Sequence, residues 1–160
     1  MYTAKRILSR SKRFRAWEIT MWEYEFSAET TVDAAALWRS WSDPNRWPEW
    51  NPGIESFELD GPFAVGTSFR MTSPEGDTVE LRFVEIIDGE LWSDVFAGEG
   101  LEVRTEHRLT ALGDGRTRVT YRTEITGPAA DTAGPEVGPQ ITADFPEVVH
   151  GLIKHAGESA

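Results

Sequence analysis

The chemistry this sequence could perform centres on His107. In residues 101–109 the odd positions are Leu101, Val103, Thr105, His107 and Leu109, while the even ones are Glu102, Arg104, Glu106 and Arg108. A period of two predicts a strand with one wet and one dry face, His107 and Thr105 being on the dry one. Val119, Tyr121, Thr123 and Ile125 alternate in the same way with Arg118, Thr120, Arg122 and Glu124, and Gly113-Asp114-Gly115 lies between the two runs. A three-residue loop with Gly115 left-handed keeps odd opposite odd, so the hairpin places His107 across from Tyr121 and Thr105 across from Thr123. An imidazole buried with a phenol and two hydroxyls has three possible uses. It can orient a ligand carbonyl, act with Tyr121 as the catalytic acid and base of an aldol cyclisation or dehydration, or be a core histidine bonded to Tyr121 without chemistry.

Tryptophan is the second signal. Six of the seven lie at or before position 50, and Trp38, Trp41, Trp47 and Trp50 fall within thirteen residues. Large, rigid and carrying one donor, they suit the wall or lid of a pocket for an aromatic or lipid molecule. Trp38 and Trp41 fall on a helical stripe and read mainly as core, with Trp38 also a ligand-contact candidate. Trp47 and Trp50, held between Pro44, Pro48 and Pro52, read as a gate. Phe69, Met71, Leu81, Phe83, Phe145 and Val149 are expected on the concave apolar face, as cavity wall or plain core.

Other chemistries are not indicated. Without cysteine there is no disulfide, thiolate nucleophile or Cys-based metal site. His150 and His155 are five apart, about 140° around a helix, and form no metal pair. No metal and no cofactor is expected. Gly98-Glu99-Gly100 and Gly113-Asp114-Gly115 precede no helix and read as turns rather than phosphate cradles. There is no Gly-x-Ser-x-Gly and no identifiable activated serine, and Asp144 and Glu147 read as solvated.

The elements that must position these residues follow from periodicity. Trp22, Tyr24, Phe26 and Ala28 alternate with Glu23, Glu25 and Ser27, a first strand. Thr31 or Asp33 can cap a helix through Ala34, Leu37, Trp38 and Trp41, which Asp43-Pro44 ends; residues 43–53 then allow a short helical turn and an ordered loop. Residues 54–59, 67–72, 79–87 and 91–97 read as strands, with a bulge at Phe83-Val84 and undecided faces in 91–97. Gly127 to Gly138 reads as a Pro/Gly-rich loop. From about Pro139 a long amphipathic helix carries Ile141, Phe145, Val148, Val149 and Leu152, kinked at Pro146 and ending near Gly157. Such a sheet, with one apolar face, is expected to curl around the last helix and leave a cavity between them.

A chain of 160 residues predicts one domain with a real core, and 39% apolar residues exclude a disordered acidic chain. The net charge of −11 is unevenly spread. Six bases (Lys5, Arg6, Arg10, Lys12, Arg13 and Arg15) precede the first acid, Glu18, leaving ten bases against 27 acids, or −17, for residues 16–160. That body should repel nucleic acid and anionic lipid. Residues 1–20 read as a separate basic arm, either a disordered appendage, an upstream start ahead of Met21, or a tail for phosphate or a partner. No eighteen-residue apolar run suggests a membrane span, and Ile7-Leu8 is too short for a secretory core, so a cytoplasmic location is expected.

Ala34-Ala35-Ala36-Leu37-Trp38, Trp41-Ser42-Asp43-Pro44, Arg46-Trp47-Pro48-Glu49-Trp50-Asn51-Pro52-Gly53 and Leu59-Asp60-Gly61-Pro62-Phe63 resemble the START-like, or SRPBCC, helix-grip superfamily, in particular its polyketide cyclase/dehydrase branch. Gly115-Arg116-Thr117-Arg118-Val119-Thr120-Tyr121 resembles the same family's penultimate hairpin. The resemblance covers residues 21–157. It implies an α+β fold: a curved seven-stranded antiparallel sheet wrapped around a long C-terminal helix, two short helices after strand 1, and a hydrophobic tunnel. Members include lipid and hormone carriers and aromatic-polyketide cyclases, and they share no catalytic motif that maps onto this chain. Three functions stay open: carriage of a small hydrophobic ligand, a cyclase or dehydratase using His107 and Tyr121, and a protein-interaction domain with the basic arm as contact. Either a monomer or a dimer is compatible with all three.

Overall fold

The computed structural model describes the backbone of residues 2–8 and residues 21–159 with their side chains. Strands β1 (Tyr2–Leu8), β2 (Met21–Thr30), β3 (Ser56–Leu59), β4 (Ser68–Thr72), β5 (Thr78–Ile87), β6 (Leu91–Gly98), β7 (Leu101–Ala111) and β8 (Thr117–Thr126) form one antiparallel sheet in the order β1-β2-β8-β7-β6-β5-β4-β3. Strands β2 to β8 are the seven-stranded sheet that the resemblance implies. Between β2 and β3 lie helix α1 (Ala34–Trp41) and a 3₁₀ helix (Pro44–Glu49), and after β8 come α2 (Ala130–Thr142) and α3 (Phe145–Ser159). None of these helices is long and apolar enough to cross a membrane.

Residues 2–8, expected as part of a detached arm, instead continue the sheet along β2, with Lys5 in register with Glu25 and Ile7 with Glu23. The reason is the edge itself. Without β1, strand β2 would present a row of unpaired backbone groups at the edge of the sheet. What the sequence suggests for residues 9–20 lies outside the described residues.

The β7–β8 hairpin has the expected register, His107 opposite Tyr121 and Thr105 opposite Thr123. The bulge also appears, as a shift between Phe83 and Glu85 in the β5–β6 pairing. In β6, Trp92, Asp94 and Phe96 face the concave side. Leu91, Ser93 and Val95 on the opposite parity are buried as well. They are covered because their register neighbours are long: Arg104 of β7 reaches Glu85 of β5 at 2.8 Å across β6.

Asp33 caps α1 by accepting the amide of Ala35 at 3.2 Å, and the helix buries Ala36, Leu37, Trp38, Ser40 and Trp41. The 3₁₀ helix is fastened back when the Trp47 indole donates to the Trp41 carbonyl at 3.0 Å. Helix α3 buries Phe145, Val148, Val149, Leu152 and Ala156 at intervals of three and four, the stripe expected of a gripped helix.

Two expectations for the C-terminal region are corrected. Gly127 to Gly138 is not all loop, since α2 runs from Ala130 through Pro135 and Pro139 to Thr142. Its glycines form a groove for an indole: a Cβ on Gly134 would lie 2.8 Å from the Trp22 Cβ, and one on Gly138 would lie 2.5 Å from its ring. Packing of Trp22, with Val103, Ile125 and Ala130 in a second core cluster, outweighs weak helix propensity. Nor does Pro146 kink one long helix. It is the second residue of α3, where its missing N–H costs nothing, and the chain breaks before it at Ala143-Asp144.

Candidate functional site

Between the sheet, the tryptophan-rich loop and the α2–α3 corner lies a cavity of about 470 Å³. The loop contributes Trp47, Trp50, Asn51, Gly53 and Ile54; β4 and β5 contribute Met71, Val79 and Leu81; β6 gives Trp92, Asp94 and Phe96. Val103, Thr105 and His107 come from β7, Tyr121 from β8, Val137 and Ile141 from α2, Asp144 from the break, and Phe145 and Val148 from α3.

Of the residues singled out from sequence, Trp47, Trp50, Met71, Leu81, Thr105, His107, Tyr121 and Phe145 therefore share one cavity. Five others stand behind its wall. Trp38 packs edge-on against Trp41 and Phe63. Phe69 and Phe83 stack on each other at 4.5 Å and support Trp47 from below. Thr123 is fully buried and holds the Thr105 hydroxyl at 2.9 Å, and Val149 is fully buried on α3.

His107 lies flat on Trp92, ring centroids 3.6 Å apart, and its Nδ1 is 3.1 Å from the Trp92 carbonyl. A carbonyl only accepts, so Nδ1 carries the proton and Nε2 is left as an acceptor. Burial pushes the imidazole down to about 3, against the smaller opposing effect of the Trp92 carbonyl, so at neutral pH it is uncharged. It does not hydrogen-bond Tyr121, as the core-histidine reading supposed. The two rings meet edge to face at 4.5 Å, and the Tyr121 hydroxyl accepts from the Trp41 indole at 3.3 Å. Burial, opposed by that hydrogen bond and aided by the charges of Asp94 and Asp144, raises the Tyr121 phenol well above its ordinary range.

Asp94 was not legible as a site residue. Its side chain is 6% exposed and lines the cavity, and burial pushes its carboxyl up to about 7, with its own backbone amide as the counterweight. Among the described residues it makes no ion pair. Asp144, expected in solvent, also lines the cavity, and its carboxyl is raised by burial and by the neighbouring charge of Glu147. The one available signal for Asp94 was an acid alone in the apolar run Leu91-Trp92-Ser93-Asp94-Val95-Phe96. The indole nitrogens of Trp50 and Trp92 are buried without an acceptor among the described residues.

A second polar cluster joins α1, the 3₁₀ helix and α3. Ser40 Oγ is 3.0 Å from His155 Nδ1, His155 Nε2 is 3.3 Å from Glu49 Oε1, and Glu49 is gripped by Arg46. The order resembles a nucleophile, base and carboxylate, but Ser40 is buried and does not reach the cavity. The cluster is a tie between helices. Among the described residues no group of three or more potential metal ligands comes together.

An antiparallel sheet closed over a C-terminal helix, with an internal apolar cavity between them, defines the START-like helix-grip class. Within it, the chain belongs to the polyketide cyclase / dehydrase and lipid transport family, whose model matches residues 21–157. No curated protein matches the chain. Among solved structures it is similar to norcoclaurine synthase from Thalictrum flavum in complex with dopamine and hydroxybenzaldehyde, at 17% identity over 98% of each chain with a TM-score of 0.72. It is also similar to Ara h 8.0201, at 19% identity over 88% of this chain and 99% of that one, TM-score 0.70. The di-domain ARO/CYC StfQ from the steffimycin biosynthetic pathway matches at 16% identity over 87% of this chain and 51% of that one, TM-score 0.70. At these identities the likeness is one of fold.

Proposed function

We propose that this protein binds a small hydrophobic, aromatic molecule in the cavity between the sheet and the α2–α3 corner. The observation that carries this reading is the cavity itself: about 470 Å³, walled by Trp47, Trp50, Trp92, Phe96, Tyr121 and Phe145, with few polar groups converging on it. That volume and lining are typical of small-molecule sites. The test is titration by tryptophan fluorescence and thermal shift against aromatic polyketides, flavonoids and fatty acids. A ligand at a hundred times its Kd should raise Tm by about 5–10 °C with 1:1 saturation. No response across the panel would overturn the proposal.

A second reading, a cyclase or dehydratase acting on an enolisable polyketide, is favoured by one observation. Asp94 has a carboxyl near 7 in the same wall as His107 and Tyr121, the condition for exchanging protons at neutral pH. His107, held near 3, would then accept a hydrogen bond through Nε2 rather than act as the base. Asp94→Asn should lower turnover of a poly-β-ketone at least a hundredfold, and unchanged turnover would dismiss Asp94 as its acid or base.

A further inference from the structure

The cavity has an electrostatic sign that its hydrophobic character hides. Two of its lining residues, Asp94 and Asp144, are acids and none is lysine or arginine, while His107 is uncharged. Asp94 points inward from the middle of β6, between Trp92 and Phe96, is 6% exposed, and finds only its own backbone amide. Carboxylates taken out of water are ordinarily paired or coordinated, because desolvation without a partner is costly. Here no other residue of the wall bonds or pairs with the carboxyl, and the side chain opens onto the cavity. Much of the rest of the wall is aromatic, Trp47, Phe96, Tyr121 and Phe145 among it, and a ring face turned to a ligand favours a cation over an anion.

We propose that the preferred ligand of this cavity is a hydrophobic cation, an aryl-alkyl ammonium whose N–H groups bond the carboxylate of Asp94 while its ring lies among Trp47, Trp92 and Phe145. The proposal rests on the ligand-binding reading above and narrows it. A fatty acid or other carboxylate would set a second negative charge beside Asp94 with no arginine or lysine to receive it. A neutral ketone would bond only the protonated carboxyl, and a phenol or alcohol, although its O–H can donate to the carboxylate, would forgo the ionic attraction.

The experiment compares three probes of one shape by calorimetric titration at neutral pH: 2-(naphthalen-1-yl)ethylamine, 2-(naphthalen-1-yl)ethanol and naphthalen-1-ylacetate. The amine is expected to bind about tenfold or more tighter than the alcohol, and the acetate most weakly. Asp94→Asn should bring the amine-to-alcohol ratio to about one. Glu106→Gln, the same charge change beside Arg108 on the outer face, should leave that ratio as in the wild type. Amine and alcohol binding equally, or acetate binding best, overturns the cation preference while the ligand-binding reading survives. Binding of none of the three overturns the cation preference as well, and the ligand-binding reading then stands or falls on its own panel. If Asp94→Asn fails to fold, the wild-type order of the three probes still decides.

Discussion

Asp94 and His107 sit on adjacent strands of one cavity wall, and burial pushes both toward their neutral forms, which makes their effects on stability oppose each other. The Asp94 carboxyl is raised from 3.8 to about 7, so the folded state holds this proton more tightly than the unfolded chain. Its stabilising contribution is complete below about pH 4 and is lost as pH rises to about 7. The His107 imidazole is lowered from 6.5 to about 3, so the unfolded chain takes up its proton first. Its contribution is complete above about pH 6.5 and is lost as pH falls toward 3. Between these limits the two slopes have opposite sign and similar size, and their sum is nearly flat. Asp94→Asn should remove one slope and expose the other. The variant is expected to be more stable than wild type by a few kcal/mol at pH 8, an advantage that disappears near pH 4. Urea denaturation at both values reads the difference, and an advantage independent of pH would refute the burial of an unpaired carboxyl.

At the scale of elements, two glycines permit close approaches that position the helices, one of them beside the cavity. A Cβ on Gly151 of α3 would fall 2.0 Å from the Trp50 carbonyl oxygen, so the tryptophan loop can lie on α3 only where a side chain is missing. Gly151→Ala should cost about 2 kcal/mol or more in chemical denaturation and weaken any cavity ligand through displacement of Trp50, although alanine is the better helix former. Gly138→Ala, against the Trp22 ring, should destabilise comparably although neither residue lines the cavity, which separates packing from site effects. Removing the inter-helix tie with His155→Ala should cost about 1 kcal/mol, because it deletes the bond to Ser40 and the contact with Glu49. These glycines also explain what the sequence concealed. In Gly134-Pro135 and Gly138-Pro139 local propensity argues for a loop, and only Trp22, more than a hundred residues away, makes a helix there favourable. The β7–β8 hairpin was legible because one face is wet and the other dry, so parity is visible in the residues themselves. Strand β6 was not, because residues of both parities from Leu91 to Val95 are buried and no wet face marks its outside. With the faces of β6 undecided, Asp94 had no assigned side. Ser40 and His155 likewise meet only in three dimensions.

For the whole molecule, charge is the property that couples stability to function. Among the described residues seven arginines are committed to acids: Arg70 to Glu58, Asp60 and Glu80; Arg104 to Glu85; Arg108 to Glu90 and Glu106; Arg116 and Arg118 to Glu29; Arg122 to Glu23 and Glu124; and Arg46 to Glu49. Exposed pairs of this kind contribute little each, and with 27 acids against 16 bases most of the remaining interactions are repulsive. Screening should therefore relieve more repulsion than it removes attraction. Raising sodium chloride from about 10 mM to about 500 mM, which shortens the screening length severalfold, should raise Tm by a few degrees. A fall in Tm over that range would mean that the cross-strand pairs outweigh the net charge. The same field acts on a ligand approaching from solvent. It concentrates cations and depletes anions around a cavity already lined by Asp144, so the association rate of a cationic probe should decrease over the salt range in which the protein becomes more stable. Stopped-flow mixing with the naphthyl amine measures this. Opposite salt trends in stability and association rate are expected from a single cause, an acidic body around an acidic cavity, and a rate indifferent to salt would separate the two.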